Sequence, residues 1–202
     1  MARVYDVTKG KDYYGPGGGY AFFSGRDGSR AFVSGQFDEA GLIDDVRGLS
    51  SSDYLGLKQW EEFYAKDYKK VGLLEGRFYN KQGEVTEEWK QLQRDISAAV
   101  KEQDTQDSEK KVFPPCNVEW TKEKGTRFWC TAKSGGIART WIGVPRKLFY
   151  PGRDERCACV RDTGSPSTDP GASSNRGDLD NPHLKQYQDC PPDSFECWNK
   201  AK

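Results

Sequence analysis

Residues Arg3–Phe32 read RVYDVTKGKDYYGPGGGYAFFSGRDGSRAF, a stretch that sets Tyr13, Tyr14 and Tyr20 around a run of glycines. Val4, Tyr5 and Val7 alternate with polar neighbours, which predicts a short strand leading into the loop. That strand begins almost at the first residue, so an upstream strand and a targeting leader are expected to be missing, as in a shortened form. The loop GPGGGY carries neither the GK[ST] of a phosphate-binding loop nor the GxGxxG spacing of a dinucleotide site. Glycines let a flat, bulky ligand approach the backbone, and flanking aromatics cover its apolar faces. A deprotonated phenol is also a hard anionic ligand suited to iron(III). The other reading is a turn whose aromatics only pack a core.

Outward from the loop, Ala31, Phe32 and Val33 form a short helix or strand. Tyr54, Leu57, Trp60, Phe63 and Tyr64 recur at helical spacing, which predicts an amphipathic helix over 52–65 with Ser51 or Ser52 as N-cap. KKVGLLEGRFYN follows as a strand or strand pair broken by Gly72 and Gly76, ending in the turn NKQG. Thr86 then caps a second helix, with Glu87 and Glu88 in its first turn and Trp89, Leu92, Ile96, Ala99 and Val100 on one face. Its polar tail, EQDTQDSEKK, reads as a frayed end or linker. Beyond Phe113 come short extended segments, and DTGSPSTDPGASSNRGD reads as a mobile loop.

The chain has 202 residues with 31 basic and 31 acidic side chains, a formal net charge of zero. No basic stripe or arm interrupts that balance, which argues against a nucleic-acid partner. No apolar run approaches the ~20 residues needed to span a bilayer. Aromatics make up 13% of the residues, so a small aromatic-rich core is expected despite 31% charged residues. All six cysteines, Cys116, Cys130, Cys157, Cys159, Cys190 and Cys197, lie in the second half. They read as up to three disulfides of a secreted or lumenal protein, with about fifteen pairings open. A zinc site is the rival, although no CxxC pair is present and His183 has no partner at ligand spacing.

Catalysis finds little support. A single histidine, His183, makes a poor triad base and is expected at the surface. Arg176–Asp178 spells RGD in a loop expected to be exposed, a triplet that also arises by chance. Acidic pairs such as Asp44 and Asp45 are commonplace on solvated faces. Trp120, Trp129, Trp141 and Trp198 are expected to anchor the cysteine-rich region.

The motifs VYDVT, YYGPGGGY, SGRD and SRAF, with WEEFYAKDYKKVGLLEGRFY further on, resemble the membrane-associated progesterone receptor family, a branch of the cytochrome b5-like heme/steroid-binding domains. FPPCNVEW, WIGVPRKL, CACV, NRGDLD and DCPP extend the likeness through the tail to a cysteine-rich member of that family. The resemblance implies an α+β fold: a cytochrome b5-like heme/steroid-binding domain, then a helix, then a disulfide-rich irregular C-terminal region. The expected boundaries are 1–82, 83–110 and 111–202.

It also implies noncovalent binding of heme b in the ferric state, without the histidine pair of ordinary b5 cytochromes. By resemblance Tyr20 is the axial ligand, while Tyr14 and Tyr68 line the pocket. Where receptor-type members carry a lysine before the last tyrosine, this chain has Asp67, so Lys66 or Lys69 would have to serve as the propionate cation. The expected role is a secreted, non-enzymatic heme binder that promotes neuronal differentiation through an unidentified extracellular partner. A heme-independent sterol-binding or protein-interaction adaptor is the alternative.

Overall fold

The structure is a computed structural model that describes residues 1–199, so the last three residues of the expected third region lie outside it. The chain forms two compact units, Met1–Asp104 and the part from Thr105 onward. In the first unit, β1 (Arg3–Asp6), α1 (Lys11–Tyr14), α2 (Ala31–Ser34), α3 (Ser51–Asp67) and β2 (Lys69–Leu73) precede α4 (Glu87–Val112), within which the dividing point falls. β1 and β2 pair antiparallel, Arg3 opposite Leu73 and Asp6 opposite Lys69, with a bulge between Val4 and Tyr5. The chain then turns at Asn80–Gly83, and an isolated bridge joins Tyr79 to Val85.

The N-cap of α3 lies one residue before the candidates Ser51 and Ser52, because Ser50 makes a complete capping box. Asp53 N–H donates to Ser50 Oγ at 3.2 Å, and Ser50 N–H donates to the Asp53 carboxylate at 3.0 Å. Two otherwise orphaned donors are thereby satisfied. Ser50→Ala is expected to cost about 1 kcal/mol, read as a lowered urea midpoint of helical circular dichroism; an unchanged midpoint would contradict the cap.

Tyr54, Leu57 and Tyr64 are buried along α3, but Trp60 and Phe63 remain 40% and 41% exposed. The helical period identified the right side chains, and the core takes only the middle of that face. Leu92, Ile96 and Ala99 of α4 pack with Ala2, Val46, Tyr54, Leu57, Phe78 and Tyr79 in one core. Thr86 caps α4, its Oγ accepting from Trp89 N–H at 3.3 Å. The polar tail does not fray: α4 stays helical to Val112. Opposite charges three apart support it, as in Lys110–Asp107 at 3.2 Å. Glu109 is also held by Arg156 at 2.7 Å.

The second unit carries two antiparallel three-stranded sheets. β3 (Asn117–Thr121), β4 (Gly125–Trp129) and β8 (Glu196–Asn199) form one; β5 (Val144–Leu148), β6 (Arg156–Val160) and β7 (Leu184–Lys185) form the other, in the order β6-β5-β7. Three disulfides join Cys116–Cys157, Cys130–Cys159 and Cys190–Cys197, and no described cysteine is free. The sulfurs of Cys116, Cys130 and Cys159 lie within 4.8 Å of one another, yet each is already in a disulfide, which removes the zinc reading. Strand geometry explains the CAC motif: Cys157 and Cys159, two apart on β6, share a face. Three disulfides fit an oxidising compartment. Among the described residues no helix is long and apolar enough to cross a membrane.

Two tail expectations are corrected. The RGD loop is pinned, because Asp178 is only 6% exposed and accepts from Ser167 N–H at 2.6 Å and Ser167 Oγ–H at 2.8 Å. Its carboxylate is spent inside the fold. Trp120 is 66% exposed and anchors nothing, whereas Arg127 lies over Trp129 and Trp198, and Arg139 lies over Trp141.

Candidate functional site

The VYDVT motif closes the end of β1. Asp6 Oδ1 accepts from Thr8 N–H at 2.9 Å and from its hydroxyl, a side-chain turn that sends the chain into α1. The glycine loop then folds back on α1, so that Tyr20 N–H donates to Tyr13 carbonyl at 2.9 Å. This return explains Gly18, where a Cβ would lie 2.3 Å from Tyr13 carbonyl oxygen. Gly17 supplies the positive φ of 83°. The glycines therefore have a structural task, and only at Gly17 and Gly19 does an added Cβ of the GPGGG run meet open space. Ser24 Oγ–H caps the Tyr14 carbonyl at 2.6 Å, and Asp27 of SGRD accepts from Ser29 N–H at 2.8 Å.

The loop delivers its tyrosines to those of α3. Tyr14 and Tyr64 hydroxyls are 2.8 Å apart. The Tyr14 ring lies 6.2 Å from that of Tyr20 and meets Tyr68 edge-on at 5.9 Å. Gly10 makes room for this meeting, since a Cβ there would lie 2.8 Å from the Tyr68 hydroxyl and 3.2 Å from the Tyr14 ring. Tyr64 is buried among Tyr5, Phe32, Trp60, Phe63 and Tyr68. Burial first, then the bond to Tyr14, pushes its phenol well above the ordinary tyrosine range. Tyr68 is raised as well, mainly by desolvation, with the nearby Lys9 ammonium acting in the opposite sense.

Tyr13 and Tyr20 are the outer members, 61% and 50% exposed with rings stacked 6.4 Å apart. Among the described residues no protein group hydrogen-bonds the Tyr20 phenolic oxygen. Exposed Phe37, Trp60 and Phe63 continue the aromatic surface. Tyr14, Tyr20 and Tyr68, named from the sequence, are thus brought together. Tyr64 was missed as a member of the cluster; its place in the last turn of α3, four residues before Tyr68 at the helix end, was the available signal. Lys66 and Lys69 are exposed. The cation recorded at the cluster is Lys9, its ammonium 5.2 Å from the centre of the Tyr68 ring.

A cavity of about 350 Å³ lies behind the cluster, walled by Phe23, Phe32, Leu57, Trp60, Tyr14 and Tyr64. Arg3 and Glu61 form an ion pair in its wall. Tyr20 and Tyr68 do not line it. His183 belongs to the second unit, its ring 4.5 Å from that of Tyr150. The donors within the aromatic cluster of the first unit are therefore phenolic. A half-exposed phenol with an unengaged oxygen, ringed by flat apolar side chains, fits a hard metal carried in a planar macrocycle.

No family model matches the chain. Neuferricin from Mus musculus is 52% identical over 200 residues, covering 98% of this chain and 76% of that protein. Neuferricin from Homo sapiens is 49% identical over 201 residues, with the same coverage of 98% and 76%. A solved Arabidopsis thaliana protein, described as having a cytochrome b5 like fold, is 36% identical with a TM-score of 0.35. It covers 37% of this chain and 69% of its own. Identity of about half over 98% of the chain, a span that takes in both the glycine loop and the cysteine-rich tail, leads to one conclusion: the chain belongs to the neuferricin family.

Proposed function

We propose that this protein binds ferric heme b noncovalently, with Tyr20 as the axial ligand and Tyr14 and Tyr68 beside it. The observation that carries this reading is the half-exposed Tyr20 phenol, its oxygen without a partner among the described residues, at the end of a loop tied back to α1. Tyr13, Phe37, Trp60 and Phe63 present exposed aromatic surface for the macrocycle. Bound heme would supply a ferric centre that an anionic oxygen ligand holds at low potential, a setting for ligand binding and not for rapid electron relay. Lys9 is the cation placed to meet a heme propionate where Asp67 offers none. The biological half of the proposal rests on family likeness: a secreted, non-enzymatic factor promoting neuronal differentiation through an extracellular partner.

Hemin titration followed by absorption spectroscopy tests the ligand. The wild-type protein is expected to show a ferric-tyrosinate charge-transfer band. Tyr20→Phe should abolish it and weaken hemin binding by about tenfold or more, about 1.4 kcal/mol. An unchanged band in Tyr20→Phe refutes the assignment.

The second reading is a heme-independent sterol binder or adaptor, favoured by the largely apolar cavity of about 350 Å³, which Tyr20 does not line. That volume lies within the ~300–1,000 Å³ of small-molecule sites. Under it, Leu57→Trp would block binding of a radiolabelled sterol while Tyr20→Phe would leave it intact.

A further inference from the structure

The Tyr14–Tyr64 contact is a hydrogen bond between two phenols, one buried and one half-buried. A phenol hydroxyl has one proton to give and lone pairs to accept with. Tyr64 is 9% exposed, and Tyr14 is the single hydrogen-bond partner of its hydroxyl among the described residues. If Tyr14 were the donor, the Tyr64 proton would have no protein acceptor among the described residues and could turn only to the cavity that Tyr64 helps to wall. Tyr14 has other outlets, because it also meets the Tyr68 phenol and its ring reaches the half-exposed side of the cluster beside Tyr20. The lower-energy arrangement has Tyr64 donating and Tyr14 accepting.

From this we infer that Tyr64 is a positioning residue: by donating to Tyr14 it fixes the Tyr14 proton outward, as a hydrogen-bond donor to an anionic oxygen held in the aromatic site. The identity of that oxygen rests on the heme reading, in which it is the iron-bound phenolate of Tyr20. A hydroxyl that accepts one bond becomes a stronger donor of the next. Tyr64 therefore acts on the ligand without touching it. Its closed surroundings suit the task, since a phenol that keeps its proton throughout the working pH range is a constant donor.

Two measurements decide the matter. The first needs no heme: NMR of the ligand-free protein should show an exchange-protected hydroxyl proton belonging to Tyr64 and lost in Tyr14→Phe. Assignment of the protected proton to Tyr14, or the absence of any, overturns the inference. The second uses the ferric heme complex of the whole chain. Tyr64→Phe should keep heme stoichiometry and the tyrosinate band but move that band to longer wavelength and make the reduction potential more negative. Tyr14→Phe, which removes the donor itself, should displace both in the same direction and further, and the double variant should match Tyr14→Phe. A band and potential that stay put in Tyr64→Phe, or effects that sum in the double variant, overturn it. If Tyr64→Phe fails to fold, the NMR assignment of the protected hydroxyl proton decides alone. A band that survives in Tyr20→Phe defeats the ligand reading separately, and the NMR assignment still decides the hydrogen bond.

Discussion

Replacing Cys130 and Cys159 together by alanine is expected to destabilise the C-terminal unit by about 3 kcal/mol. The disulfide closes 29 residues, for which chain entropy alone predicts roughly 3.5 kcal/mol. Part of that entropy is already removed, because Cys116–Cys157 interleaves with the same segment. In the other direction, Cys130 and Cys159 are 1% and 0% exposed, so their loss also leaves unfilled space. The bond closing only 7 residues, Cys190–Cys197, offers the contrast. Its paired alanine variant should lose about 2 kcal/mol. Urea denaturation followed by tryptophan fluorescence ranks the two, and equal midpoints would contradict the ordering.

Phe78→Ala should be costlier still, about 3–5 kcal/mol. Phe78 is 1% exposed and packs with Val46, Tyr54 and Leu57 as well as Leu92, Ile96 and Ala99 of α4. Truncation removes the ring that fills the space between those helices and leaves a cavity lined by side chains too constrained to collapse. Its backbone bond to Thr86, 3.1 Å from Thr86 N–H to Phe78 carbonyl, does not depend on the side chain. Helical circular dichroism against urea measures the loss; a midpoint shift worth under about 1 kcal/mol would mean that the core closes over the gap.

Both helices were legible in the sequence because a 3.6-residue apolar period survives local accident, as Leu92, Ile96 and Ala99 show. The cap was misplaced by one residue because Ser50, Ser51 and Ser52 are chemically alike; only Asp53, three residues after Ser50, distinguishes them. The cluster around the glycine loop was legible as Tyr14, Tyr20 and Tyr68. Tyr64 was not, since a tyrosine on a buried helix face looks the same whether its hydroxyl is idle or paired. The disulfide pairing was illegible for a deeper reason. Partners 41 and 29 residues apart are set by sheet register, which is nonlocal. Likewise, nothing within Arg176–Asp178 announces that Ser167 would consume the aspartate.

The neighbouring cysteines of β6 turn register into covalent bookkeeping. Because Cys157 and Cys159 share a face and lie two residues apart, a slip of the strand by two positions would carry one into the other's place, setting Cys157 against Cys130 or Cys159 against Cys116, without turning any side chain to the other side. Once the two cysteines left over also joined, such a mispaired chain would be fully oxidised, and a thiol count would not detect it. What separates the two is the non-covalent frame: five consecutive β5–β6 residue pairs, from Val144–Val160 to Leu148–Arg156, and the bridge from Pro115 to Ala158. Fidelity of oxidation is therefore proofread by strand alignment, and variants that loosen that alignment should yield isomers of unchanged mass.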